Sequence, residues 1–149
     1  MPGLRLRTVA DASSLRDWKH VHNEIIRAGQ LSDEQVRDRA RKHHLEVAYL
    51  DDDPVGCTTV RRPTGPDARV VVIVRVLPPY RRRGIGATLL VRAEEQAHRL
   101  DAGRIETIVW AANLEGLRFA EVHGYTEVDR YLVRGEQVPY VTLRRGDPN

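Results

Sequence analysis

The chain has a single cysteine, Cys57, so it cannot close an internal disulfide and nothing in it calls for an oxidising compartment. It lacks any apolar run near the roughly 20 residues that a membrane span requires. Its first residues, MPGLRLRTVADASSLRDW, carry a charge every few positions and no apolar segment of the kind a signal peptide needs. These absences lead us to expect a soluble, cytoplasmic protein that does not engage membranes. An excess of one charge is missing too. The 24 basic residues stand against 21 acidic ones, a net charge of +3 that is too even to mark a nucleic-acid binder. Lysine is confined to Lys19 and Lys42, so arginine carries nearly all of the positive charge. Such a bias follows genome base composition as readily as function, which makes placement more informative than number.

What is present reads as one α/β domain spanning residues 1–149, without repeats or low-complexity linkers. Leu4 to Val9 alternates apolar and charged residues as a half-buried strand does. Asp11 can cap a helix running to about Ala28, with Leu15, Trp18, His22 and Ile25 at helical spacing. Ser32 to Gln35 has the form of a capping box before a second helix to about Lys42, whose apolar residues are only Val36 and Ala40. Residues 45–50 and 54–61 form an antiparallel hairpin across Asp51-Asp52-Asp53. The β-branched run at 68–77 suits a central strand buried on both faces. Ile85, Leu89, Ala93, Ala97 and Leu100 then mark an amphipathic helix, followed by a strand at 105–110 and a short helix from Asn113 to His123-Gly124. Strands at 127–133 and 138–143 close the chain across Arg134-Gly135-Glu136. The order βααβββαβαββ predicts a mixed, mostly antiparallel twisted sheet with helices on both faces.

The segment LPPYRRRGIGATLL, residues 77–90, joins the central strand to the amphipathic helix. Gly84 and Gly86 sit where the strand ends and the helix begins, so backbone N–H groups can converge on one spot without Cβ obstruction. The helix dipole and Arg81, Arg82 and Arg83 add positive potential, and such a turn binds phosphate oxygens. The dinucleotide fingerprint does not fit, because its third glycine falls at Leu89, and the P-loop lacks its Gly-Lys-Ser/Thr. Taken locally, the glycines could also serve only to turn the chain beside a solvated arginine rim.

The wider pattern separates these readings. Val76-x-Pro78-x-Tyr80-Arg81-x-x-Gly84-x-Gly86 resembles the acyl-CoA signature Q/R-x-x-G-x-G/A of the GNAT N-acetyltransferase family. Downstream, Asn113 to Tyr125, with Gly116, Phe119 and Gly124, is similar to that family's second block. The resemblance is sharp over residues 68–126. It implies an acetyltransferase using acetyl-CoA, without a metal, to modify an amine of a small molecule or peptide by direct attack in a ternary complex. By the same resemblance, the CoA pyrophosphate lies on the amides of Arg81, Arg82, Arg83, Gly84, Ile85, Gly86 and Ala87. The pantetheine runs beside Val74 and Val76, with Asn113 and Phe119 completing the cofactor site. The fourth and fifth strands splay apart, and the backbone N–H of Val76 faces the developing oxyanion. The acceptor enters from the opposite side.

The chain departs from the family where proton transfer is concerned. Ala120 stands where the family usually has its Tyr general acid, and Tyr125 stands where it has a packing Phe. Residues 68–77 contain no carboxylate and Asp67 lies at the wrong end of that strand, which leaves Glu106 as the nearest base and Tyr125 as a displaced acid. Arg75, an arginine inside an apolar strand, must either pair with a carboxylate such as Glu106 or reach the acceptor cavity, where it would favour a carboxylate or phosphate. Trp110 either walls the acceptor site or fills the core. His20 and His22 point in different directions on a helix and make no metal pair. His43-His44 reads as a polar connection, and His123 as a C-terminal helix residue facing carbonyls. Two further readings stay open: a CoA-binding sensor or vestigial domain without catalysis, and an arginine-rich nucleic-acid binder. Oligomeric state is not legible, and a homodimer is compatible with it.

Overall fold

A computed structural model describes residues 3–146, so residues 1, 2 and 147–149 of the expected domain lie outside the described residues. The strands are β1 (Leu4–Thr8), β2 (His44–Leu50), β3 (Asp53–Val60), β4 (Arg69–Val76), β5 (Arg104–Trp110), β6 (Tyr125–Tyr131) and β7 (Tyr140–Arg145). The helices are α1 (Ala12–Ile25), α2 (Asp33–Lys42), α3 (Ile85–Arg99) and α4 (Leu114–Val122). One seven-stranded sheet runs in the order β1-β2-β3-β4-β5-β7-β6, with β4 at its centre. Only β4 and β5 pair in parallel; every other neighbour is antiparallel. This is the mixed, mostly antiparallel sheet that the element order implies.

Local chemistry starts the helices. Asp11 caps α1 and Ser14 reaches back to it, and Ser32 caps α2 in a reciprocal box with Gln35. α1 and α2 cover one face of the sheet, where Trp18, Val21, Ile25 and Val36 pack on Leu45, Val47 and Cys57. Trp18 also donates its indole N–H to the carbonyl of Thr58 at 3.1 Å, which satisfies the one polar atom of a fully buried ring. α3 and α4 cover the other face, where Leu90, Ala93, Ala97 and Ala120 meet Val70, Val72, Ile105, Val141 and Leu143. A bidentate pair holds α3 to β2: Arg92 donates twice to Glu46, each bond 2.8 Å.

Two expected boundaries move. The first helix stops at Ile25 rather than near Ala28, because Ile25 and Ile26 both turn into the core and the chain tightens into a 3-10 turn, Arg27–Gly29. The last hairpin starts earlier and has a longer loop than the Arg134-Gly135-Glu136 turn suggests. Tyr125 is the one buried residue of β6, pairing ends at Tyr131–Tyr140, and Leu132 and Val133 extend past it exposed. Alternation in this strand is broken by a bulge between Glu127 and Asp129, which is why the apolar pattern misplaces it.

Candidate active site

Hydrogen-bond alternation decides which main-chain groups of β4 are free. Leu77 N donates to Val55 O at 2.8 Å and Arg61 N to Val71 O at 2.9 Å. Odd-numbered residues of β4 therefore exchange bonds with β3, and Val72, Val74 and Val76 turn their N–H and C=O groups toward β5. On β5, Ala111 N donates to Pro139 O at 2.9 Å, so odd residues serve β7 while Ile108 and Trp110 face β4. The β4–β5 ladder nevertheless covers only Arg69–Val71 against Arg104–Glu106. Past that point the strands part, and their inward-facing groups open onto a cleft of about 480 Å³.

The turn after β4 forms the mouth of this cleft. Gly84 caps α3 with φ 81° and Arg82 also lies in the left-handed region at φ 64°, an alternation of backbone senses of the kind that lets successive N–H groups converge on an anion. Gly86 packs closely on α4: a Cβ there would stand 3.0 Å from the Phe119 ring. Arg81 does not point freely at the mouth. Its Nε donates to Val76 O at 2.8 Å and its Nη1 lies 3.5 Å from Glu115, which ties the turn to β4 and α4. Of the Val76 main chain, the N–H is thus left facing the cleft. Arg82 and Arg83 are exposed, the latter with its guanidinium 5.6 Å from the Tyr80 ring centre.

The cleft gathers Val74, Arg75, Val76, Arg81, Arg82, Gly84, Gly86, Ala87, Asn113, Phe119 and Tyr125 from the residues singled out in the sequence. Arg83, Ile85, Glu106 and Trp110 are not among its lining. Ile85 is buried against Val55 and Leu89. Asn113 accepts from Gly116 N at 3.1 Å and so caps α4. Tyr125 donates to Glu94 at 2.7 Å, and burial, then that bond, hold its phenol above the usual tyrosine value. Glu106 is fully buried but engaged: Arg144 donates to it at 2.9 Å and Arg69 lies 3.7 Å away. His123 faces the Phe119 carbonyl with Nδ1 at 2.8 Å. Thr107, Ile108 and Val109 also wall the cleft, which their apolar strand pattern did not reveal.

Through the parted strands the cleft reaches Arg75, whose side chain lies on the α1–α2 face. No carboxylate pairs with it among the described residues, so the ion pair with Glu106 is not formed. Burial, and the charges of Arg39 and Arg61, push the guanidinium below its ordinary value. His22, stacked on Trp18 with ring centres 5.4 Å apart, is held down to about 3 by burial and then by Arg75. Cys57 beside them is pushed up to about 12 by burial and is inert as a nucleophile.

Parallel strands that part beside a helix N-terminus, reached through a two-glycine turn, define the acetyltransferase class of α/β fold. The chain belongs to the Acetyltransferase (GNAT) family, whose model matches residues 9–125. Arabidopsis thaliana Naa50, in complex with the bisubstrate analogue CoA-Ac-MVNAL, is 23% identical; the match covers 97% of this chain and 99% of that one, with a TM-score of 0.77. A ribosomal-protein-alanine N-acetyltransferase from Brucella melitensis is 17% identical over 95% of this chain and 98% of its own, TM-score 0.73. Arabidopsis thaliana NAA60 in complex with acetyl-CoA is 16% identical over 95% and 97%, TM-score 0.72. No curated protein matches the chain in sequence.

Proposed function

We propose that this protein transfers an acetyl group from acetyl-CoA to an amine of a small molecule or peptide in the cytoplasm. The observation that carries the reading is the pair of parted strands: unladdered main-chain groups of Val74, Val76 and Ile108 line a cleft whose mouth is the N-terminus of α3. The turn suits a CoA pyrophosphate in sign, since a phosphate at the mouth would meet the positive end of α3. Arg82, Arg83, Gly84, Ile85, Gly86 and Ala87 would hold the pyrophosphate, whereas Arg81, expected to join them, spends its own N–H on Pro78 O at 3.2 Å and its Nε on Val76 O; Val74, Val76, Asn113 and Phe119 would flank the pantetheine. Bound there, acetyl-CoA supplies the acetyl group as a thioester that the acceptor amine attacks directly. The Val76 N–H donates to the oxygen on which negative charge grows, in a site where apolar walls strengthen that bond. Tyr125 and Glu106 remain committed to Glu94 and Arg144, so proton transfer falls to water and backbone positioning supplies most of the rate.

A CoA-binding sensor is the second reading, and Ala120 favours it: buried at the cleft, it offers no acid to the departing thiolate. Thiol release from acetyl-CoA, followed across a panel of primary amines, separates the two. Catalysis predicts amine-dependent thiol release well above the rate without enzyme; binding of acetyl-CoA with no release by any amine would leave the sensor.

A further inference from the structure

The α1–α2 face of the sheet carries a second cluster of charge, independent of the CoA turn. Arg75 projects there with Cys57, its partner across the β3–β4 ladder, and Arg61 follows on the same face opposite Val71. Arg39 reaches in from α2. All three are half-buried, and none has a carboxylate partner among the described residues. Their charges act on one another, since Arg39 feels Arg61 and Arg75 feels both, and burial lowers the basicity of each. The chain pairs other part-exposed arginines with its buried acids: Arg92 with Glu46, and Arg144 with Glu106. Holding three partly desolvated guanidiniums together is costly, and an anion bound among them would offset that cost.

The floor beside them is aromatic. Register places Trp110, Tyr140 and Tyr131 side by side across β5, β7 and β6, with the two tyrosine rings 5.8 Å apart. Trp110 Nε1, His43 Nδ1 and, on the hairpin side, Glu136 Oε1 are buried without a hydrogen-bond partner. Carboxylates of the hairpin reach the aromatic row, Glu136 acting on Tyr140 and Asp129 on Tyr131, but neither acts on Arg39, Arg61 or Arg75. The sheet itself separates this cluster from the phosphate-binding turn, and the two communicate only where β4 and β5 part.

We propose that this face binds the acceptor, and that the acceptor is an amine carrying a carboxylate or phosphate held by Arg39, Arg61 and Arg75 against the aromatic row. The proposal rests on the acetyltransferase reading for the meaning of "acceptor", so its test separates the two. Melting is followed with CoA saturating, which occupies the turn, and inorganic phosphate is then added as the probe. Thiol release is compared for matched amines: phosphoethanolamine with ethanolamine, 4-aminobutyrate with butylamine.

Phosphate should raise the wild-type melting temperature further, and the increment should vanish in Arg39→Met and Arg61→Met, while the shift caused by CoA alone persists in both. The anionic member of at least one pair should be preferred by tenfold or more in kcat/KM, and Arg75→Met should erase that preference through KM. A preference for phosphoethanolamine alone assigns phosphate, and one for 4-aminobutyrate alone assigns carboxylate. Equal use of charged and neutral amines, or a phosphate increment that survives both methionine variants, overturns the proposal. Absence of any wild-type CoA shift overturns the acetyltransferase reading instead.

Discussion

Gly86→Glu tests the turn with the least disturbance to the rest of the molecule. At about a hundred times its dissociation constant, acetyl-CoA should stabilise the wild-type fold by about 2.7 kcal/mol. Unfolding entropy of roughly 2.1 cal/mol/K per residue, over 149 residues, converts that to a rise in melting temperature of about 9 °C. The substitution puts a Cβ 3.0 Å from the Phe119 ring, which must give by a few tenths of an ångström. Against that strain, glutamate gains up to about 1 kcal/mol of helix propensity over glycine and suits the first turn of a helix. The apo variant should therefore melt within a few degrees of wild type. Its carboxylate, however, sits where the phosphates would, and like charges about 4 Å apart repel by about 4 kcal/mol at an effective dielectric of 20. That is roughly a thousandfold in affinity, enough to remove the shift at the same ligand concentration. Differential scanning fluorimetry with and without acetyl-CoA reads both quantities. A variant that folds and still shifts by about 9 °C would refute the placement of phosphate at this turn.

The remaining predictions concern proton chemistry. General acid catalysis is worth about a hundred- to ten-thousandfold, so Ala120→Tyr should speed thiol release by up to about a hundredfold, whereas Tyr125→Phe should leave kcat within about twofold and cost about 1 kcal/mol of stability with its bond to Glu94; a hundredfold loss of kcat in Tyr125→Phe with CoA binding intact would make Tyr125 the acid. His22 is neutral when folded, at about 3, but takes a proton below about 6.5 when unfolded, so the unfolded state binds more protons between those values and stability falls as pH drops through that window. From pH 7 to 5 the loss from this group is about 2 kcal/mol. Urea melts should show a flatter pH dependence in His22→Gln, and equal slopes in both proteins would contradict the assignment.

The features that could be read from sequence are those made by neighbours in the chain. Gly84 and Gly86 stand within one turn of a helix, Asp11 immediately precedes one, and the box at Ser32 spans four residues, so spacing alone identifies them; that Ser14 completes a second box with Asp11 was seen only in the structure. The β-branched run of β4 announces a central strand. The α1–α2 face is different, because Arg39, Arg61, Arg75, Trp110, Tyr131 and Tyr140 come from six places that only sheet register brings together. Arg75 stands out in sequence because it interrupts an apolar strand, but in a chain whose positive charge is nearly all arginine Arg39 and Arg61 read as solvated until their missing partners are seen. Glu106 was readable as a strand carboxylate, but its commitment was not: Arg144 lies 38 residues away and meets it only because β7 inserts between β5 and β6.

Because β4 and β5 pair over three residues and then diverge, the protein carries two strand edges in its interior rather than at its rim. An unpaired edge is a template for any extended chain with amide groups at the right repeat. A ligand that threads between them completes the sheet much as an added strand would, and it is recognised by main chain that no side-chain substitution can remove. The same opening leaves the empty protein exposed to wrong guests, including segments of its own unfolded copies. A ligand in the gap should therefore lower the chain's tendency to aggregate on heating, which light scattering with and without acetyl-CoA reads.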